Sequence, residues 1–175
     1  MSKCQLQNNS AFVINHIFQK LGNRPPNKKT VQKMIYLIKE TGIDLGYDYY
    51  LYFYGPYSAD LDEEIISLTL NGAIDLKYTY NGHLLTPLIS DVSLMDGIDA
   101  EAVEKVIDHY VEDGWNARKL ELLATAVYAY EHGSDKDDKS VLDGVKRIKG
   151  DKYSDKEIID SFGEFVFLNL PLGRV

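Results

Sequence analysis

Apolar side chains recur at helical spacing through most of the chain, and the two-residue alternation of strands is confined to its first half. Phe12, Val13 and Ile17, together with His16 and Lys20, predict a helix over residues 10–21, with Ser10 as N-cap and Gly22 as stop. Two prolines in Asn23-Arg24-Pro25-Pro26-Asn27 break the chain before a second helix over residues 28–41, capped by Asn27 and ended by Gly42. Its stripe is Val31, Met34, Ile35 and Ile38, which leaves Lys28, Lys29, Lys33 and Lys39 on the polar side. Residues 47–54 read as one aromatic strand with Tyr47, Tyr49, Leu51 and Phe53 on one face and Asp48, Tyr50, Tyr52 and Tyr54 on the other. Gly55-Pro56-Tyr57 then turns the chain into a helix over residues 59–70 with Ser58 as N-cap, and residues 73–80 and 83–88 flank the hairpin signal Asn81-Gly82.

Helices over residues 99–111, 116–132, 139–149 and 154–169 make up the second half. The helix starting after Asn116 is apolar almost all round, which predicts a buried central post. No repeat or linker interrupts the chain, and residues 89–98 are its nearest approach to a seam. The expected architecture is mostly α, of α+β type: a single domain over residues 1–175, with a winged-helix-like half (1–90, one aromatic strand plus a hairpin) and a helical half (99–170).

Composition adds bounds. Hydrophobic content of 45% and charged content of 26% are ordinary globular values and set disorder aside. Cys4 is the sole cysteine, which excludes an internal disulfide and a multi-cysteine zinc site. The polar first ten residues carry no apolar signal core, and no apolar run approaches the roughly 20 residues of a bilayer span, so a cytoplasmic, membrane-free protein is expected. The net charge of −8 is uneven: residues 1–40 carry seven cations against Glu40 alone, leaving −14 on residues 41–175.

The chain offers little chemistry. No glycine-rich phosphate loop or nucleophile elbow occurs. Carboxylates cluster in helix N-terminal turns, where the helix dipole accounts for them. His109 and Glu112 supply two donors at i, i+3 with no motif for the remaining ligands of a metal. His16 is expected to pack on the first helix's apolar stripe, and His83 and His132 fall at a turn and a helix end. The expectation is a non-enzyme, with no catalytic residue, cofactor or metal. DNA binding through the helix before the hairpin is disfavoured because that helix presents Asp60, Asp62, Glu63 and Glu64, and no cation occurs between residues 45 and 74. The basic alternative is the second helix, with Arg24, Lys28, Lys29 and Lys33. The seven aromatic residues from Tyr47 to Tyr57 are expected mainly as core covered on both faces; otherwise Tyr50, Tyr52 and Tyr54, or Tyr57, form an interaction patch.

Several segments in order resemble the YwgA-like and Panacea (SocA-like) domain proteins. These are Lys29-Thr-Val-Gln-Lys-Met-Ile-Tyr-Leu-Ile38 against that family's KLQKLxYL helix and Tyr52-Phe-Tyr-Gly-Pro-Tyr-Ser58 against its YGPYS turn. Leu61, Ile65 and Leu68 before Gly72, residues 116–125, 145–149 and 158–162 continue the likeness over about residues 12–165. The sequence departs from the motif at Thr30-Val31, where Lys-Leu is usual. The resemblance implies a partner-binding protein without catalytic residues: Panacea members act as antitoxins in toxin–antitoxin or phage-defence pairs, and the SocA-like branch as a proteolytic adaptor. A protein-binding regulator is therefore expected, antitoxin-like and directed at a protein partner such as a toxin encoded nearby, with homodimerisation compatible. A DNA-binding regulator using the basic N-terminal helices is the alternative.

Overall fold

A computed structural model describes residues 5–173; Cys4 lies outside the described residues. Among the described residues there are seven α-helices, with 54% helix and 15% strand, so the fold is mostly α, of α+β type. The helices are α1 (Asn9–Lys20), α2 (Lys28–Glu40), α3 (Ala59–Leu70), α4 (Ala100–Glu112), α5 (Ala117–His132), α6 (Asp138–Lys149) and α7 (Asp155–Ser161).

Their starts follow local capping chemistry. Asn27, Ser58, Asp99, Asn116, Asp137 and Ser154 each accept a backbone N–H of the first turn, and Ser154 with Glu157 completes a capping box. At α1 the cap is Asn8 rather than Ser10: Asn8 Oδ1 accepts Ala11 N–H at 2.8 Å, and the Ser10 hydroxyl donates back to it from within the first turn. The last helix is shorter than its pattern suggests. It ends at Ser161, and a 3₁₀ turn over Phe162–Phe165 containing Gly163 swings Phe165 edge-on to Tyr130, ring centroids 5.5 Å apart.

Among the described residues the strands form three two-stranded pairs: β1 (Leu6–Gln7) parallel to β6 (Val92–Ser93), β2 (Tyr50–Tyr52) antiparallel to β3 (Gly55–Tyr57), and β4 (Ile74–Thr79) antiparallel to β5 (Gly82–Pro87). The aromatic segment is thus not one strand. It reverses after Tyr52, so that Tyr50 lies opposite Tyr57 and Tyr52 opposite Gly55. The expectation that it is core holds for Tyr47, which is buried, and fails from Tyr50 to Tyr54, where every side chain is exposed. The short hairpin leaves Phe53, the most open of them, at its reversal.

One hydrophobic core runs through both halves. From Leu120 to Val127 every residue of α5 is buried, and α5 packs on α2, α6, α7 and β3: it is the post its all-round apolar sequence predicts. α4 seals α1, where His16 sits between carboxylates instead of on the apolar stripe. Its Nε2 lies 2.7 Å from Asp108 and its Nδ1 3.7 Å from Glu104.

Candidate functional site

Two of the segments on which the likeness rests, residues 29–38 and 52–58, meet in space. Gln32 on α2 clamps the backbone of Ser58 from both sides: its Nε2 donates to Ser58 O at 2.9 Å, and its Oε1 accepts Ser58 N–H at 3.0 Å. One residue on, the Lys33 ammonium donates to Pro56 O at 2.5 Å, and the Tyr49 hydroxyl donates to Gln32 O at 3.1 Å. Lys33 therefore does not remain on the polar side of its helix as expected; it is only 3% exposed, because the β2–β3 hairpin docks over it. Gly55 permits that docking. Its φ is +89°, and a Cβ there would lie 2.7 Å from Thr125 Oγ1 on α5.

Outward from this clamp the hairpin presents its rings as a block. Tyr50 and Tyr52 pack edge-on at 6.3 Å between centroids, Tyr57 lies 5.7 Å from Tyr50 and 5.4 Å from Tyr52, and Tyr52 lies 4.8 Å from Phe53. Burial and the nearby Asp62 carboxylate push the Tyr57 phenol up to about 12, so it stays neutral in the physiological range.

Between this block, the start of α2 and the turn of the β4–β5 hairpin lies a cleft of about 600 Å³. The turn is fixed as its wall because Asn27 Nδ2 donates to Asn81 O at 3.1 Å and Asn27 bridges to Leu84. Of the candidate interaction residues, Lys28, Lys29, Lys33, Tyr52, Tyr54 and Tyr57 line the cleft, while Arg24 and Tyr50 do not. A side chamber of about 260 Å³ shares Asn27, Lys29, Lys33, Tyr54 and Asn81 and reaches Arg118 and Glu121 on α5 and Lys152 just after α6.

The cations here have distinct roles. Lys28 is 2.5 Å from Asp62, and Lys29 Nζ stands 3.5 Å above the Tyr54 ring. Glu121 Oε1 is shared by Lys149 and Lys152, each at 2.6 Å, and Lys149 also reaches Phe53 O at 3.3 Å. Burial alone would raise the Glu121 carboxyl, but the hydrogen bonds and charges of these two lysines outweigh it and hold the group below its ordinary value. Lys149 shifts the other way: burial, aided by Lys152 and Lys29, lowers it despite Glu121. The two ends of one contact differ because a single carboxylate serves several ammoniums. Burial first, then Lys149 and Lys29, bring Lys33 down to about 8.

Glu121, Lys149, Lys152 and Arg118 escaped the sequence reading. They stand 85 residues or more from the Lys28–Lys33 cluster, and no spacing rule links the two groups. His109 is not arranged as a metal ligand with Glu112; its Nε2 lies 2.7 Å from Glu164 and its ring stacks on Phe167 at 3.8 Å. Among the described residues no group of three or more His, Cys, Asp or Glu side chains is placed to hold a metal ion, and no helix is long and apolar enough to cross a membrane. No family model matches the chain, and no curated protein matches it either.

Proposed function

We propose that the protein is a non-enzymatic, cytoplasmic protein-binding regulator that holds a protein partner through the β2–β3 hairpin, in the manner of an antitoxin. The observation that supports this reading most directly is the run Tyr50-Leu-Tyr-Phe-Tyr54, exposed side by side on a hairpin anchored by Gln32, Lys33 and Gly55. Rigid aromatic anchors lose little entropy on docking and dominate interface energetics. The strongly acidic body suits a basic partner, whose approach it would steer. The antitoxin element rests on the family resemblance.

The DNA-binding alternative is weakened by the same geometry. Of Arg24, Lys28, Lys29 and Lys33, Lys28 is paired with Asp62 and Lys33 is buried, while Asp60 and Glu63 stand exposed on the helix before the β4–β5 hairpin.

The test is direct mixing of the purified chain with the product of the adjacent gene. A stoichiometric complex is expected, and co-expression should restore growth to cells that the neighbour alone arrests. Tyr52→Ser with Phe53→Ser should weaken the complex at least tenfold, about 1.4 kcal/mol. Because both side chains are exposed, the melting temperature should stay within a few degrees of the parent. A neighbour that is harmless alone and does not bind would refute the reading. Retardation of nonspecific duplex DNA at low salt, fading as salt rises, would favour the alternative.

A further inference from the structure

The cleft beside the aromatic hairpin has an electrostatic imbalance that protein docking does not use. Lys28, Lys29, Lys33, Arg118 and Lys152 line the cleft and its side chamber, and Lys149 lies behind them on Glu121 of the chamber wall. The carboxylates engaging them are Asp62 with Lys28, Glu157 with Arg118 and Glu121 with Lys149 and Lys152. Six cations thus meet three carboxylates, within a chain whose net charge is −8. Lys29 has a tyrosine ring rather than a carboxylate as its partner, and buried Lys33 has one hydrogen-bond acceptor, Pro56 O, for three ammonium protons. The charges of Lys149 and Lys29 both act against the Lys33 ammonium, and Glu121 offsets them only in part.

From this arrangement we infer that the cleft binds a small phosphate-bearing molecule of nucleotide size. The phosphate sits among Lys29, Lys33 and Lys152, and a planar ring lies against Tyr52 and Tyr80. Each part follows from an observation. The excess of positive charge matches the two or more negative charges of a phosphate ester, and lysines serve as point-charge phosphate ligands. The starts of α2 and α5 both face this region and add their positive dipole ends. The volume of about 600 Å³ lies in the range of small-molecule sites. Two hairpins and a helix wall it, and Tyr52 and Tyr80 leave ring surface free for stacking. A long nucleic acid is a poor occupant, because it would have to run on across a body carrying −14. Burial and the neighbouring lysines already hold the Lys33 ammonium below its ordinary value, a strain that an incoming phosphate relieves.

The experiment uses the purified full chain alone, so its outcome does not depend on any protein partner. Calorimetry and thermal melts are run with AMP, ATP, pyrophosphate, inorganic phosphate, adenosine and a polyglutamate peptide. Nucleotides are expected to bind and to raise the melting temperature by about 5–10 °C at a hundredfold excess over Kd, while adenosine has no effect. Lys33 is too buried to be a safe variant, so Lys29→Gln and Lys152→Gln carry the test, each checked for native circular dichroism. Each should weaken nucleotide binding at least tenfold. The inference is overturned if no phosphate compound binds at millimolar concentration, or if binding survives the double lysine variant unchanged. Binding of polyglutamate without nucleotides overturns it in favour of an acidic protein segment. Equal affinity for inorganic phosphate and nucleotide overturns the ring assignment.

Discussion

Gly55→Ala is expected to destabilise the protein by about 3 kcal/mol, from the combined costs of a left-handed backbone and an overpacked contact. An alanine Cβ would meet Thr125 Oγ1 at 2.7 Å, and that hydroxyl is not free to swing aside, since it donates to Glu121 O at 2.7 Å within the buried stretch of α5. A drop in melting temperature of about 6–12 °C should follow for a chain of this size. Gly42→Ala separates the two terms: φ there is +95°, yet nothing lies within 4 Å of the added carbon, so only the backbone cost of about 1–2 kcal/mol applies. Urea denaturation of both variants measures the difference. If they lose stability equally, the hairpin does not rest on α5 as tightly as its geometry indicates.

Glu121→Gln should be of similar size, about 3 kcal/mol, because it strips the counterion from Lys149, whose side chain is 3% exposed. Half-exposed Lys152 can turn to water and adds little. The pH dependence distinguishes this from a packing defect. The folded protein holds the Glu121 proton less tightly than the unfolded chain does, so the carboxylate's contribution is complete above its ordinary value of 4.5. It fades as pH falls through the lower value of the folded state. The parent should therefore lose stability more steeply below pH 4.5, and the two proteins should converge in acid. Lys33 acts at the other end of the scale. The folded state releases its proton near pH 8 and the unfolded chain near 10.5, so this residue makes stability rise with pH across that window. Glu121 raises the Lys33 ammonium, and its loss should shift the onset of that rise to lower pH. Parallel pH profiles for parent and variant would show that the carboxylate bears no such load.

Features set by neighbouring residues were the legible ones. Asn27, Ser58 and Asn116 could be read as caps because a cap bonds within its own first turn, and α5 as buried because no face of it is polar. The aromatic segment is illegible for the converse reason. Alternation says which side chains would share a face if the strand continued, but the reversal before Gly55 depends on Gln32, Lys33 and Thr125, all distant in sequence. Lys33 looks solvated on its own helix and is buried only because a hairpin 23 residues later lies across it. The β1–β6 pair is two residues long on each side, too short to carry a pattern. The cleft shows both cases: its tyrosines and α2 lysines were found from composition and spacing, whereas Glu121 and Lys149 became visible only through the fold.

The pairing of Leu6–Gln7 with Val92–Ser93, together with the sealing of α1 by α4, affects how the chain can assemble. The early helices cannot close their core until a segment some 85 residues later has arrived, so a nascent chain must remain open through much of its synthesis. The two halves should accordingly melt in one cooperative step, and an excised first half should stay molten.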